Sequence, residues 1–212
     1  LQSRGLGDVY KRQGIQAGFE DFYTSSQATA MYIRENYPGQ TVYCMGTRSL
    51  VTELRESGLT VVTEPDENAS VVLIGFDTEN TSEKIRNTCI MLGRDVVYLA
   101  TNPDLVCPVS FGFIPDCGSI AKLIEGSTGR TFPFFGKPSP LTRAYISKHT
   151  GLSESEIAIV GDRLYTDIAL ADNSPMCSIL VLSGESKAGD IGTMPGTPDL
   201  VFRDLSEIIP YL

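Results

Sequence analysis

Two carboxylates follow a short apolar run in the last third of the chain. Residues 157–160 are all apolar and indicate a buried strand, and Asp162 and Asp167 come just after it in the segment GDRLYTD. Carboxylates placed this close repel each other unless a cation or a hydrogen-bond donor intervenes. Because the segment holds no histidine or cysteine, its hard oxygen ligands suit Mg²⁺. The alternative is structural: Asp167 caps the following helix and Asp162 belongs to a turn.

Lys137, in the segment GKPSP at residues 136–140, is the second candidate. Pro138 and Pro140 suit the start of a helix, where a missing N–H costs nothing. A lysine there can pair with a phosphate oxygen beside the helix-start amides. The segment is not a P-loop, because no glycine stands five residues before Gly136 and a proline follows the lysine. The alternative is a lysine on a solvated turn.

Short β-rich runs alternate with helical periods along the chain, which predicts parallel sheets flanked by helices. In such sheets ligands bind at the carboxyl ends of strands, where GD, TNPD, GKPSP and LSG all fall. Within this pattern we expect Asn80 to cap a helix, because Glu83 follows three residues later. Residues 105–116, between the turn TNPD and a short helix over 117–129, are predicted as an irregular loop. A helix is expected after Asp167, and a last one over 205–212.

Composition narrows the class of protein. The net charge of −9 lacks any basic cluster and argues against nucleic acid as a partner. No apolar run reaches the length of a membrane span, so no membrane partner is expected. The five cysteines show no C-x-x-C pair, which favours reduced thiols in a cytoplasmic protein. The single histidine, His149, argues against a histidine-based metal site or triad.

The first thirteen residues, LQSRGLGDVYKRQ, look foreign to the rest. The part DVYKRQ resembles the translation, in one frame, of the transposon-end adapter used to prepare sequencing libraries. We interpret residues 1–13 as such an artefact, so that the natural sequence is expected to continue from near Gly14 and to lack its true start. The alternative is a charged N-terminal arm.

The order of the two motifs is more specific than either alone. GKPSP, then one helix, one strand and GDRLYTDI, resembles the haloacid dehalogenase-like (HAD) hydrolases, and more narrowly their NagD-type phosphatases of subfamily IIA. The match continues through YTSSQATA, ATNPD, GSIAKLIEGSTGR and LVLSGES. It covers nearly everything from Gly14 to Leu212.

The resemblance implies an α/β fold with two parts. A Rossmann-like parallel-sheet core would comprise residues 14–37 and 132–212, and an inserted α/β cap of the C2 type would comprise residues 38–131. In the family the first core strand ends in an Asp-x-Asp motif, whose first aspartate is the nucleophile and whose second is the general acid/base. This sequence contains no Asp-x-Asp, so the core is expected to lack its first strand.

The resemblance also implies roles for the residues that do match. Lys137 offsets negative charge, Asp162 is the Mg²⁺ ligand, and Asp167 helps to organise the lysine and the metal's water shell. The implied activity is Mg²⁺-dependent hydrolysis of a small phosphorylated metabolite, such as a nucleotide or sugar phosphate, through an aspartyl-phosphate. Without nucleophile and general acid, the chain as given is expected to be inactive. The alternative is a non-catalytic protein that binds a phosphometabolite or a partner.

The cap would contribute the loop that faces the substrate. Asn102, Asp104 and Asp116 are its polar candidates, of which Asn102 and Asp104 are predicted substrate contacts together with Lys137 and Arg163. Phe111 and Phe113 either wall the site or pack inside the cap. Caps of this family often mediate dimers, so a homodimer through the cap is a further expectation.

Overall fold

A computed structural model describes Gly18 and residues 21–211 of the chain. The proposed adapter segment, residues 1–13, lies outside the described residues. The chain divides into two compact units, Leu1–Phe135 and Gly136–Leu212. Each unit carries its own sheet of parallel strands, which confirms the predicted α/β class.

The first unit alternates helices and strands and ends in a hairpin and a helix. Its elements are α1 Ser25–Asn36, β1 Thr41–Met45, α2 Arg48–Glu56, β2 Thr60–Val62, β3 Ala69–Ile74, α3 Ser82–Leu92, β4 Val97–Ala100, β5 Val106–Val109, β6 Gly112–Pro115 and α4 Cys117–Thr128. Strands β1 to β4 form one parallel sheet in the order β2-β1-β3-β4.

The central strands of this sheet are buried on both faces, as expected for a parallel sheet covered by helices. Side chains of a strand point alternately to opposite faces, so Tyr43 and Met45 join one hydrophobic cluster while Val42 and Cys44 join another. Helices α3 and α4 cover the first face. Helices α1 and α2 cover the second, where Ile33 of α1 is fully buried.

Threonine hydroxyls begin the helices that surround this sheet. Thr24 and Gln27 form a capping box at α1, and Thr47 accepts a hydrogen bond from the Leu50 amide at α2. At α3 the prediction of Asn80 as the cap is wrong, because Thr81 has the extended backbone and its hydroxyl accepts from the Lys84 amide at 3.2 Å. The helix therefore begins one residue later than the Glu83 spacing indicated.

The expected irregular loop at residues 105–116 is a β-hairpin instead. Strands β5 and β6 are antiparallel, with Val109 opposite Gly112 across a two-residue turn. Prolines in both strands favoured a loop in the sequence, since proline cannot donate to a ladder. They are tolerated here because the sheet has only two strands, so each is an edge.

The second unit is built from α5 Pro140–Thr150, β7 Ala158–Gly161, β8 Cys177–Val181 and β9 Leu200–Phe202. Its three strands are parallel in the order β7-β8-β9. The helix expected after Asp167 is instead a π-helical turn, Leu164–Ile168, followed by a 3₁₀ turn. The expected last helix is two 3₁₀ turns, because Pro210 lacks an N–H and restricts the residue before it.

The two units do not follow the domain ranges that the family resemblance implies. Residues 14–37 were expected with the core, yet Ala30 and Ile33 of α1 pack with Val42 and Leu54 inside the first unit. The first unit also runs to Phe135 rather than to residue 131. The contacts thus group α1 with the expected cap, and the domain division stays a prediction.

No helix within the described range is long and apolar enough to cross a membrane. None of the five cysteines, all of which lie in the described part of the chain, forms a disulfide.

Cysteine reactivity tests the packing of the first unit. Burial raises the pKa of the Cys44 thiol to about 12, and burial also raises the pKa of Cys117. Little of either thiol is therefore ionised at pH 8, and the thiolate is the nucleophile. We expect iodoacetamide at pH 8 to alkylate the half-buried Cys177 of the native protein while sparing Cys44 and Cys117. Peptide mass spectrometry measures this, with urea-denatured protein as the control in which all react; fast native labelling of Cys44 would contradict the packing.

Candidate active site

The acidic segment and the loop after β8 meet at one edge of the second sheet. Strand β7 pairs in parallel with β8, with Gly161 opposite Leu180. Because the carboxyl ends of neighbouring parallel strands lie at the same edge, Asp162 follows β7 beside residues 182–186, which follow β8. The predicted placement of Asp162 at a strand end is confirmed. The prediction that this strand is buried is wrong, because Ala158 and Val160 are exposed.

Asp167 is held by two donors and is nearly enclosed. The Lys137 ammonium donates to its Oδ1, and the backbone N–H of Arg163 donates to its Oδ2 at 3.2 Å. The Asp167 side chain is 9% exposed, whereas that of Lys137 is 46% exposed. Both carboxylate oxygens of Asp167 are thus used within the protein, which suits an organiser of the lysine better than a direct metal ligand.

The π-helical turn and a glycine bring Asp167 to this position. The amides of Asp167 and Ile168 both donate to the Arg163 carbonyl, at 3.0 and 3.1 Å, so the turn closes on the residue after Asp162. A Cβ added at Gly161 would lie 2.3 Å from the Asp167 Cβ. Only a residue without a side chain lets the carboxylate fold back over the strand end.

The Asp162 carboxylate accepts a hydrogen bond from the described residues on one of its two oxygens. Its Oδ2 accepts the backbone N–H of Glu185 at 2.8 Å. Among the residues that the structure describes, none donates to Oδ1. The carboxylate is partly exposed, so Oδ1 is available to a cation.

Charged and phenolic groups form the rim beside Asp162. The Glu185 carboxylate accepts from Arg163 Nε at 2.7 Å and from the Tyr165 hydroxyl at 2.7 Å. Arg163, a predicted substrate contact, is therefore engaged in an ion pair next to the candidate metal ligand. Sequence reasoning missed Glu185, although it follows the quoted LSG by one position.

The other predicted substrate residues lie in the first unit. The Asn102 side-chain amide donates to Asp104 Oδ2 at 3.0 Å and to Asp116 Oδ1 at 3.1 Å, so the structure brings these three together. Asp116 also caps α4. Asn102 lines a cavity of about 160 Å³ at the carboxyl ends of β1, β3 and β4, with Thr24, Thr47, Glu53 and Phe76.

Phe111 and Phe113 do not pack inside the first unit. They are 81% and 68% exposed on the β5–β6 hairpin. The alternative that placed them in the interior of the cap is therefore wrong. Substrate contact by these rings, and a homodimer through the cap, stay predictions.

Comparison with known proteins gives the family. A HAD-hydrolase-like family model matches residues 134–208. The acid sugar phosphatase of Staphylococcus aureus (strain MRSA252) is 37% identical over 198 residues, which is 93% of this chain and 76% of that protein. The 4-nitrophenylphosphatase of Thermotoga maritima superposes with a TM-score of 0.89 at 35% identity, covering 98% of this chain and 79% of its own. NagD from E. coli K-12 gives 0.88 at 31% identity, over 98% and 80%.

The lysine–aspartate pair and the second aspartate lie within the part of the chain that the family model matches. With its relatives at this level of identity, the chain belongs to the HAD-like hydrolases, within their NagD-type phosphatases. By family, the protein is a phosphatase.

Phosphatases of this family generally use a divalent metal ion, and the residues present fit one in part. The described residues contain no group of three or more His, Cys, Asp or Glu side chains that could hold a metal. Mg²⁺, however, is usually bound by one or two carboxylates, waters and substrate phosphate oxygens. Asp162 suits this way of binding Mg²⁺, because within the described residues only its Oδ2 accepts a hydrogen bond.

Replacing Gly161 tests the geometry of the lysine–aspartate pair. In Gly161→Ala the new methyl must displace the Asp167 side chain, and overpacking of this kind costs about 1–3 kcal/mol. We expect Gly161→Ala to unfold at a lower urea concentration than the wild type does, as measured by circular dichroism. Gly189→Ala is the matched control, since a Cβ there meets nothing within 4 Å. Equal midpoints for both variants would show that the approach of Asp167 to Gly161 is not tight.

Proposed function

We propose that this chain is part of a Mg²⁺-dependent phosphomonoesterase. The enzyme would hydrolyse a small phosphorylated metabolite, such as a sugar phosphate or a nucleotide. One observation carries the proposal: a half-exposed lysine, oriented by a buried aspartate, lies at the same sheet edge as an aspartate with one available oxygen. Phosphoryl transfer depends mainly on positioning and charge neutralisation, which these groups supply.

Each residue of this edge has a role that follows from its contacts. Lys137 keeps its ammonium beside Asp167 and, being half exposed, can pair with a phosphate oxygen. Asp167 holds the lysine and is itself held by the Arg163 amide. Asp162 would bind the cation through Oδ1. When bound, Mg²⁺ would offset charge on the phosphoryl oxygens.

The nucleophile is the part of the proposed mechanism that these 212 residues do not supply, since they contain no Asp-x-Asp. We propose an aspartyl-phosphate on a strand that pairs with the outer edge of β7. Within the described residues β7 pairs only with β8, and its Val160 is 40% exposed whereas the residue opposite it, Ile179 of β8, is 8% exposed. Strands of a parallel sheet are normally covered on both faces, so the exposed face of β7, together with its single described strand partner, supports a further element next to Asp162.

The 212-residue chain is accordingly expected to release no phosphate. The experiment compares it with the protein encoded by the genomic reading frame around Gly14, using 4-nitrophenyl phosphate, sugar phosphates and nucleotides with and without Mg²⁺. If the frame adds a strand ending in Asp-x-Asp, we expect Mg²⁺-dependent release from the longer protein. Asp162→Asn and Lys137→Met in that protein should each lower kcat roughly 10²- to 10³-fold, as for loss of one charge-stabilising group.

Two results would speak against this proposal. Turnover by the 212-residue chain itself would exclude the need for a further nucleophile. No Mg²⁺-dependent release from the longer protein with any of these esters would argue against the phosphatase reaction. Binding of a phosphate ester without turnover, in a reading frame that lacks Asp-x-Asp, would favour the second candidate, a non-catalytic phosphometabolite-binding protein. The absence of Asp-x-Asp from the sequence is the observation that keeps this candidate.

A further inference from the structure

The loop after β8, residues 184–186, contacts four consecutive residues of the acidic segment. The Glu185 N–H donates to Asp162 Oδ2 at 2.8 Å, and the Ser186 N–H donates to the Asp162 carbonyl at 3.0 Å. Asp162 is thereby fixed at both its main chain and its side chain. One of its carboxylate oxygens is occupied and the other is left for a ligand.

The same loop fixes the three residues that follow. The buried Ser186 hydroxyl accepts the Leu164 N–H at 3.1 Å. The Glu185 carboxylate accepts from Arg163 and Tyr165 on either side of that leucine. Residues 162–165 are therefore held by hydrogen bonds with Glu185 and Ser186. The described contacts include no hydrogen bond between Gly184 and these four residues.

Gly184 contributes to this arrangement because it has no side chain. A Cβ at this position would lie 2.1 Å from Asp162 Oδ2 and 2.4 Å from both its Cβ and Cγ. All three atoms belong to the candidate metal ligand. The backbone at Gly184 does not explain the glycine, because Gly184 is not among the glycines with positive φ. The contact with Asp162 does explain it.

We propose that Gly184 is a positioning residue for the cation: it lets the Asp162 carboxylate lie against the loop, where the Glu185 amide binds Oδ2 and leaves Oδ1 for Mg²⁺. This inference rests on the proposed function and extends it from the ligand to the loop that orients the ligand. Groups that orient a metal ligand affect metal affinity roughly 10- to 100-fold when changed.

The first test measures Mg²⁺ binding to the 212-residue chain by isothermal titration calorimetry. Gly184→Ala is expected to weaken Mg²⁺ binding roughly 10- to 100-fold, because the methyl displaces Oδ2 from the Glu185 amide. Gly189 lies five residues further along the same loop, and a Cβ added there would meet nothing within 4 Å. Gly189→Ala should therefore bind Mg²⁺ as the wild type does. Glu185→Gln keeps the main-chain amide that binds Asp162 Oδ2, and it serves as a second loop variant for the unfolding comparison.

A purely structural role for the loop gives a different pattern. In that case Gly184→Ala and Glu185→Gln would lower the unfolding midpoint and leave the Mg²⁺ affinity of the folded protein unchanged. Equal affinities for wild type, Gly184→Ala and Gly189→Ala would overturn the inference while leaving the proposed phosphatase untouched. If the wild-type chain itself binds no Mg²⁺, Asp162 alone does not hold the cation in this chain, and the metal-free measurements below decide whether Gly184 positions Asp162.

A second measurement needs no metal. Hydrogen exchange of the Glu185 amide should be faster in Gly184→Ala than in the wild type, because its acceptor has moved. The shift in the unfolding midpoint caused by Gly184→Ala should largely vanish in an Asp162→Gly background, which removes all three atoms that the methyl would meet. This double variant tests the contact between Gly184 and Asp162 even if Gly184→Ala folds poorly. An unchanged exchange rate, or an equal midpoint shift in both backgrounds, would overturn the inference.

Discussion

Close approach of side-chain carboxylates to the main chain is the constraint on which the candidate site depends. Asp167 folds back over Gly161 and Asp162 lies against Gly184, in both cases at distances that a Cβ would forbid. These contacts let backbone amides of Arg163 and Glu185 act as donors to the two acids. Hydrogen bonds from main-chain N–H groups stabilise the charged form of a carboxylate. They therefore help two acids to lie at one sheet edge despite their mutual repulsion.

The charges at this edge are divided unequally among their partners. Asp167 is matched by Lys137, and Glu185 by Arg163, so each of these carboxylates has its own cation. Asp162 has none among the described residues and accepts only a main-chain N–H. A partly buried carboxylate without a positive partner is costly. This asymmetry supports the roles proposed above, with Asp167 as the organiser of the lysine and Asp162 as the cation ligand.

Much of the architecture could be predicted because strands and caps are local signals. Apolar runs gave β1, β3 and β7, and threonine before a periodic segment gave α2. The spacing to Glu83 indicates Asn80 as the cap, but Thr81 is also a capping residue type, and only the backbone conformation shows which of the two caps the helix. The hairpin was missed because proline argues against a strand unless the strand is an edge, which depends on tertiary neighbours.

The site divides in the same way. Lys137, Asp162 and Asp167 could be singled out from the sequence, because they stand in two short motifs whose order resembles that of the family. The loop at residues 184–186 does not, because its contacts depend on the register between β7 and β8. That register brings a loop some twenty residues downstream against Asp162, a distance in sequence that no local pattern reports.

The outer edge of β7 has a consequence for how the molecule behaves at high concentration. With β8 as its one strand partner in the described range, β7 offers main-chain groups and an exposed Val160 to any extended segment. Such an edge is a template for strand addition. Self-association of the 212-residue chain can therefore arise by strand pairing at this edge, in addition to any contact made by the exposed rings of the hairpin.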